Sequence, residues 1–237
     1  MKKILVTGCN GQLGRAINQE YGNEAEFINT DVQAGDGAIA LDITKVEDVL
    51  ALVRETKPDV IINCAAHTAV DLCEQQWDSA YRINAIGPRN LSIAASEVDA
   101  KLIHVSTDYV FDGNGSRPYT EFDAPGPNSA YGKTKLEGEN FVKAFAGKYF
   151  ILRTAWLYGD GKNFVKTMLR LSESHDKVTV VDDQVGCPTS ASELAKMIHF
   201  LEPTENYGLF HAVCEGSCSW ADLAEETFKL AGKNTVV

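Results

Sequence analysis

The feature that most constrains this chain is a set of three glycines directly after its first apolar segment. Residues 4–7 lead into Gly8, Gly11 and Gly14, and a helical pattern follows. In a phosphate-binding strand–loop–helix unit, the first glycine allows a tight turn, the second admits a pyrophosphate, and the third permits close helix–strand packing. Backbone N–H groups and the positive end of the helix dipole then face the phosphates. The loop predicts a dinucleotide-binding α/β fold, with Gln12 and Leu13 also beside the ligand.

The spacing of apolar residues extends this prediction to the whole chain. Short apolar runs alternate with helical patterns, which predicts right-handed βαβ crossovers and a parallel sheet covered on both faces. Strands are expected at 3–7, 26–29, 39–41, 60–63, 102–106, 149–153, 178–181 and 209–213. Helices are expected at 11–21, 46–56, 78–85, 88–98, 130–145, 163–172, 192–201 and 220–230. We therefore predict a Rossmann-type doubly wound domain over residues 1–153 and a smaller C-terminal substrate-binding lobe over residues 154–237.

Composition excludes several classes of function. The chain has 237 residues and a formal net charge of -11, and such an acidic protein is a poor ligand for a nucleic-acid backbone. Its scattered cysteines form no Cys-x-x-Cys pair and its histidines have no metal-ligand spacing. No apolar run approaches the ~20 residues that a membrane span needs, and the apolar segment near the N-terminus is too short for a signal peptide. We expect a soluble, cytoplasmic protein that binds neither nucleic acid nor membrane.

Two aspartates follow the second and third predicted strands. Asp31 can accept hydrogen bonds from the adenosine ribose hydroxyls, which favours NAD(H). No Arg or Lys lies between Asp31 and Ala40 to neutralise a 2′-phosphate. Asp42 and Ile43 are placed to meet the adenine edge. The alternatives are a solvated turn aspartate at 31 and a helix cap at 42.

A tyrosine and a lysine open the helix predicted at 130–145. Their i, i+4 spacing places Tyr131 and Lys135 on one helical face. A phenol with a pKa near 10 is a poor acid–base catalyst at neutral pH, and a neighbouring ammonium favours the phenolate. We therefore expect Lys135 to lower the pKa of Tyr131, and to hold a nicotinamide ribose as well.

A hydroxyl residue stands at the end of the preceding strand. Thr107 lies where doubly wound sheets bind ligands, and it can hydrogen-bond a substrate carbonyl as that oxygen gains negative charge. An ordinary loop cap is the alternative for this residue. The next residues are Asp108 and Tyr109, where sugar-nucleotide dehydratases carry an Asp-Glu pair. The missing glutamate disfavours dehydration and leaves carbonyl reduction.

Together these motifs resemble the extended short-chain dehydrogenases/reductases, and among them the dTDP-4-dehydrorhamnose reductase family. The Gly-x-x-Gly-x-x-Gly spacing is a variant found in short-chain dehydrogenases. The matching stretches cover nearly the whole chain: 8–14, 63–71, 84–91, 106–113, 131–135, 153–159 and 186–189.

The resemblance implies an activity and a set of roles. The expected reaction is reduction of the 4-keto group of dTDP-4-dehydro-β-L-rhamnose to dTDP-L-rhamnose, with NADPH or NADH as reductant and Mg²⁺ as a further cofactor. Tyr131 protonates the new alkoxide, Lys135 tunes Tyr131, and Thr107 polarises the ketone. By the same resemblance, the cofactor is lined by Ala65, Ala66 and His67, and the sugar nucleotide is contacted by Asp108 and Trp156.

Several alternatives stay open at this point. His67 can be a packed loop residue and Trp156 a core residue, while Arg153 can meet either the substrate diphosphate or an acidic neighbour. The rival functions are a nucleotide-sugar 4-epimerase and a non-catalytic dinucleotide-binding subunit like the methionine adenosyltransferase β subunit. Family members continue beyond the position of Val237, so the resemblance predicts a substrate lobe that lacks its C-terminal end, in a monomer or homodimer.

Overall fold

A computed structural model describes residues 1–35 and 37–237. Its strands are β1 (Lys2–Thr7), β2 (Ala25–Asp31), β3 (Ile39–Ala40), β4 (Val60–Asn63), β5 (Lys101–Thr107), β6 (Tyr149–Thr154), β7 (Leu157–Tyr158), β8 (Val185–Gly186), β9 (Thr189–Ser190), β10 (Gly208–His211) and β11 (Cys218–Ser219). Its α-helices are α1 (Gln12–Tyr21), α2 (Val46–Thr56), α3 (Val70–Gln75), α4 (Trp77–Tyr81), α5 (Gly87–Glu97), α6 (Ala130–Phe145), α7 (Phe164–Leu171), α8 (Ala191–Leu201) and α9 (Trp220–Leu230). A π-helix covers Arg82–Ile86, and a 3₁₀-helix covers Asp108–Val110.

The central sheet is parallel. In the described residues it has seven strands in the order β10-β6-β5-β4-β1-β2-β3. The chain runs outward from β1 to β3, returns to the other side of β1 and continues from β4 to β10. The strand order therefore reverses between β1 and β4, where doubly wound sheets bind ligands beyond the carboxyl ends of the strands. The predicted Rossmann-type fold is confirmed.

Alternating side chains of the strands explain the two helical layers. Ile4 and Val6 of β1 pack with the buried face of α1 and with α8. Leu5, between them in sequence, packs on the other face with α2, α5 and α6. Because both faces are covered, the strands are near-continuous apolar runs, as in parallel sheets generally.

Residues after 153 contribute to the same layers and also form smaller units. Strand β10 extends the sheet beside β6, and α8 lies against α1. The pairs β7–β9 and β8–β11 are two-residue ladders, and α7 and α9 enclose a small apolar cluster around Met168, Val178 and Phe228. The division of the chain at residue 153 stays a prediction.

One predicted strand was wrong. Residues 178–181 form no strand, and the described ladder there is an isolated bridge between Lys177 and Val236. Val178 is buried in the cluster between α7 and α9, so its apolar neighbourhood reflects packing rather than sheet pairing. Strands β8 and β9 lie instead in the turn-rich stretch that follows. None of the described helices is both long and apolar enough to cross a membrane.

Candidate active site

A cavity of about 880 Å³ lies at the carboxyl ends of the central strands. Its walls include the glycine loop, the ends of β2, β4, β5 and β6, the start of α6, and residues near Trp156. Most of the predicted site residues meet there: Gly8, Gly11, Gln12, Leu13, Gly14, Asp31, Asp42, Ile43, Ala65, Ala66, Thr107, Asp108, Tyr131, Lys135 and Trp156. The topology thus brings together residues from seven separate parts of the chain.

The glycine loop has the close packing that its spacing predicts. Gly8 has a φ of +66°, and a Cβ there would lie 2.9 Å from the backbone nitrogen of Ala65. A Cβ on Gly14 would lie 2.5 Å from the Cα of Cys9. Gly11 precedes α1 as its N-cap and supplies no side chain to the first-turn N–H groups. A loop that bares backbone donors at a helix N-terminus fits the pyrophosphate of a dinucleotide.

The two aspartates are anchored differently. Asp31 ends β2 at the cavity wall, and its Oδ2 accepts a hydrogen bond from the Asn10 backbone at 3.2 Å. The Oδ1 of Asp42 accepts from the backbone nitrogen of Thr44 at 3.0 Å and from its hydroxyl at 2.8 Å. Because the N-cap of α2 is Lys45, Asp42 shapes the preceding turn and does not cap the helix.

His67 does not line the cavity. Its Nδ1 lies 3.3 Å from the thiol of Cys73, and its backbone nitrogen donates to Asn84 Oδ1 at 2.8 Å. The neighbouring Ala65 and Ala66 do line the cavity. The structure therefore separates His67 from the residues with which the sequence interpretation had grouped it.

Two glycines position helix α6. A Cβ on Gly132 would lie 2.1 Å from the carbonyl oxygen of Tyr109, and one on Gly138 would lie 2.2 Å from that of Asn84. These close approaches hold α6 against the residues after β5 and against the π-helix. Tyr131 and Lys135, one turn apart on α6, consequently line the same cavity.

Burial governs the charge states of this pair. The Lys135 Nζ donates to the Val105 carbonyl at 2.6 Å, and burial lowers the pKa of Lys135 to about 8 while the Glu139 carboxylate opposes the change. Burial raises the pKa of Tyr131, and the charge of Asp108 adds to that rise. The expectation that Lys135 lowers the pKa of Tyr131 was therefore wrong, because loss of solvent around the phenol is the larger effect. The phenol is protonated at neutral pH, which suits a proton donor.

Thr107 caps a short helix and also lines the cavity, while its role toward a substrate carbonyl stays a prediction. Its hydroxyl accepts a hydrogen bond from the Tyr109 backbone at 3.2 Å and caps the 3₁₀-helix. The same hydroxyl donates to Asp108 Oδ1 at 3.0 Å, and the residue lines the cavity. Burial raises the pKa of Asp108 to about 6, with the Thr107 hydrogen bond acting the other way.

Arg153 is committed to an ion pair. Its Nε and Nη2 donate to the two carboxylate oxygens of Glu139 at 2.9 and 2.8 Å. Both side chains are almost fully buried, at 3% and 0% exposure. Of the two roles open for Arg153, the structure selects the acidic neighbour and withdraws this guanidinium from a substrate diphosphate.

Among the wall residues that the sequence did not predict are one tryptophan and two polar side chains. Trp220 stacks on Trp156 with ring centroids 3.5 Å apart and an angle of 8°, and both line the cavity. Ser79 and the exposed Arg82 border it on another side. No local pattern marks these positions, since Trp220 begins an ordinary amphipathic helix. Only the pairing of β8 with β11 brings Trp220 beside Trp156.

The Mg²⁺ implied by the resemblance finds no site. Among residues 1–35 and 37–237 there is no group of three or more His, Cys, Asp or Glu side chains arranged to hold a metal ion. We therefore assign no step to a metal.

Comparisons with known proteins agree with this geometry. The RmlD substrate binding domain family matches residues 1–236. The dTDP-4-dehydrorhamnose reductase of Escherichia coli (strain K12) is 41% identical over 236 residues, which are 97% of this chain and 78% of that protein. A dTDP-4-dehydrorhamnose reductase structure from Clostridium acetobutylicum ATCC 824 has a TM-score of 0.95 and 58% identity, and the match covers 98% of this chain and 81% of that one.

A second solved relative carries a nucleotide. The dTDP-4-dehydrorhamnose reductase of Bacillus anthracis str. Ames, in complex with NADP, has a TM-score of 0.95 and 44% identity, over 100% of this chain and 84% of that one. Family match, sequence identity and fold agree along nearly the full length. The chain belongs to the dTDP-4-dehydrorhamnose reductase family.

Proposed function

We propose that this protein reduces the 4-keto group of dTDP-4-dehydro-β-L-rhamnose to give dTDP-L-rhamnose, a rhamnose precursor for cell-surface polysaccharide, with NADPH or NADH as reductant. The observation that carries the proposal is the meeting of Thr107, Tyr131 and Lys135 with the glycine loop in one cavity. The names of the relatives support the same reaction.

The glycine loop and Asp31 bind the dinucleotide in this proposal. Backbone N–H groups from Gly11 onward hold the pyrophosphate, and the Asp31 carboxylate accepts from the adenosine ribose. Ile43 and Ala65 form apolar parts of the wall, and Asp42 meets the adenine edge. The bound dihydronicotinamide supplies a hydride to the ketone carbon.

The remaining chemistry belongs to side chains at the ends of β5 and α6. The Thr107 hydroxyl donates a hydrogen bond to the ketone oxygen and stabilises the negative charge that develops there. The Oη of Tyr131 gives its proton to that oxygen, a step for which a protonated phenol is required. Lys135 holds the nicotinamide ribose and places a positive charge beside the phenolate that is left. Asp108 and Trp156 contact the sugar nucleotide.

Turnover of the reduced nicotinamide tests the proposal. Purified protein and the dTDP-4-keto sugar are mixed with NADPH in one reaction and with NADH in a parallel one. The absorbance of the reduced nicotinamide is followed in both. We expect stoichiometric oxidation of the reductant. A 4-epimerase would interconvert sugars without net oxidation, and a regulatory subunit would bind the dinucleotide without any turnover, so either result would reject the reductase assignment.

The comparison of NADPH with NADH bears on the dinucleotide contacts. NADP is bound by the relative that is 44% identical, whereas Asp31 favours a free ribose hydroxyl. We propose that both reductants are used. A cytoplasmic location and a monomeric or homodimeric state stay predictions from the sequence.

A further inference from the structure

Glu139 is a buried carboxylate one helical turn beyond Lys135. It has 0% exposure and accepts three hydrogen bonds, from the Ser106 hydroxyl at 2.6 Å and from the Arg153 guanidinium at 2.9 and 2.8 Å. The Lys143 ammonium approaches from the surface at 3.6 Å. Such an arrangement is costly to build, since each buried charge must be desolvated, and the proposed reaction assigns it no role.

Strand β5 contacts both Lys135 and Glu139 of α6. The Lys135 Nζ donates to the carbonyl of Val105 at 2.6 Å, and the next residue of β5, Ser106, donates to Glu139. Lys135 and Glu139 are i, i+4 neighbours, so their side chains share one face of the helix. The lysine that is meant to meet the dinucleotide is therefore flanked by a carboxylate that is itself fixed by β5 and β6.

We propose that Glu139 is a positioning residue that keeps the buried Lys135 ammonium charged. The inference rests on the reduction proposed above, because that reaction gives Lys135 its task. Glu139 does not touch the reacting atoms, and it acts through Lys135 alone. Hydrogen bonds from Ser106 and Arg153 fix the position of the Glu139 carboxylate.

The other groups that face Lys135 do not supply this charge. Cys64, after β4, has a pKa raised by burial to about 12, and burial holds the pKa of His104 on β5 well below its usual range. Burial also raises the pKa of Tyr131 on α6. These three groups are consequently neutral at pH 7. Arg153 on β6 is positive, and Glu139 is the anion of the set; its carboxylate opposes the fall that burial imposes on the pKa of Lys135.

The decisive measurement is the titration of Lys135 itself. Lysine side chains are isotopically labelled, the Lys135 signal is assigned with a Lys135→Met variant, and its titration is followed by NMR. We expect a wild-type midpoint at about pH 8. The Glu139→Gln variant is expected to titrate about one unit lower, because an opposite charge nearby typically moves a pKa by one to three units. The alkaline limb of the kcat profile should move by the same amount.

Two further variants separate charge from structure. Glu139→Gln leaves Arg153 buried without a partner and can impair folding, so the double change Glu139→Gln with Arg153→Gln removes both charges. We expect its Lys135 midpoint to lie below that of Arg153→Gln alone, because these two variants differ only in the Glu139 charge. Relative to the wild type the downward shift is smaller than in Glu139→Gln, because the positive charge of Arg153 is lost as well. Lys143→Gln is the matched control, since it removes the exposed partner of Glu139 and leaves the carboxylate in place. Its Lys135 midpoint should equal that of the wild type.

The outcomes distinguish this inference from the proposed function. The role of Glu139 is overturned by a Lys135 midpoint that does not fall in a folded Glu139→Gln variant, or that does not fall in the double variant relative to Arg153→Gln alone. If the midpoints shift but the wild type does not turn over the keto sugar, the role of Glu139 is supported and the proposed substrate is rejected. If the wild type turns over the keto sugar but the midpoints do not move, the proposed function is supported and the role of Glu139 is rejected.

Discussion

The two sides of the cavity that we assign to the dinucleotide and to the substrate are built in different ways. On the side assigned to the dinucleotide, the carboxyl ends of β1 and β2 present the glycine loop and Asp31, and both strands belong to the central parallel sheet. On the side assigned to the substrate, the stacked pair Trp156 and Trp220 forms part of the wall, and two-residue ladders lie next to it. The first side depends on a repeated βαβ unit, whereas the second depends on single contacts between residues far apart in the chain. A substitution on the first side should therefore change both the stability of the fold and ligand binding, whereas one on the second side should change mainly the binding of the ligand beside it.

Tyr131 tests whether chemistry can be separated from dinucleotide binding. We expect Tyr131→Phe to lower kcat by about 10²- to 10⁴-fold, the usual range for loss of a general acid. Binding of NADPH should change little, because the glycine loop and Asp31 are untouched. Steady-state kinetics and fluorescence titration with NADPH measure the two effects.

Tyr109 is the matched control for that change. Its ring meets the Tyr131 ring edge-on at 5.6 Å, and it lines the same cavity. Tyr109→Phe should reduce kcat far less, since this hydroxyl donates no proton in the proposed reaction. Comparable losses in the two variants would contradict the assignment of the proton donor to Tyr131.

Two glycines compare the sides directly. A Cβ on Gly14 would lie 2.5 Å from backbone atoms of the loop, and a Cβ on Gly186 would lie 2.4 Å from the Trp156 ring. We expect Gly14→Ala to cost about 3 kcal/mol of stability and most of the NADPH affinity, because backbone cannot yield cheaply. Gly186→Ala should displace Trp156 and weaken the sugar nucleotide instead.

Thermal unfolding and ligand titrations of the two variants check this contrast. Gly147→Ala serves as the control, because a Cβ there meets nothing within 4 Å. If Gly186→Ala impaired NADPH binding as much as Gly14→Ala, the two sides of the cavity would not be separable.

The same contrast explains how far the sequence could predict the structure. Helices α2, α6 and α9 begin and end at the predicted residues, as does β4. Apolar spacing, together with the local cap at Ser129 of α6, specifies such elements. The glycine loop could also be predicted, because its glycines meet steric requirements set by residues close by.

Long-range packing accounts for what could not be predicted. Trp220 follows β11, which pairs with β8, and the spacing of apolar residues does not predict this pairing. His67 turns to Cys73, and Val178 is buried between two helices instead of pairing in a sheet. The pKa of Tyr131 depends on how much solvent the fold removes, and the i, i+4 spacing with Lys135 says nothing about that.

Asp108 should make stability depend on pH. Burial raises its pKa to about 6 from an ordinary value of 3.8, so between these values the folded state binds more protons than the unfolded state. Stability contributed by this group is present at pH 4 and is lost as the pH rises through 6. We expect Asp108→Asn to be more stable than the wild type by about 2 kcal/mol at pH 7, with the gain vanishing near pH 4.

Urea unfolding at several pH values measures this effect, and activity gives its counterpart. The stabilised variant should lose turnover, because Asp108 faces the sugar nucleotide in the proposed function. A constant stability difference between pH 4 and pH 7 would show that the Asp108 carboxyl is not the group that titrates.

The smallest expected effects concern two helix caps, at the start of α6 and at the start of α7. Ser129 accepts from the Gly132 backbone at 3.1 Å at the start of α6, and Asn163 accepts from the Lys166 backbone at 2.9 Å at the start of α7. Asn163 also donates to the side chain of Gln12 at 2.9 Å and thereby ties α7 to the glycine loop. We expect Ser129→Ala to cost about 1 kcal/mol. Asn163→Ala should cost about 1 kcal/mol more, because it also removes the link to Gln12.

Asn163→Asp keeps the cap and removes every hydrogen bond of the amide, including those to the carbonyls of Gly159 and Gly161. It retains an oxygen for the backbone of α7 but removes the amide that donates to Gln12. Its loss of stability should therefore fall between zero and that of Asn163→Ala, with a measurable decrease in NADPH affinity because Gln12 lies in the phosphate loop. An Asn163→Asp variant with unchanged NADPH affinity would indicate that the substrate side holds α7 without help from the glycine loop, and the two sides would then be energetically independent at this contact.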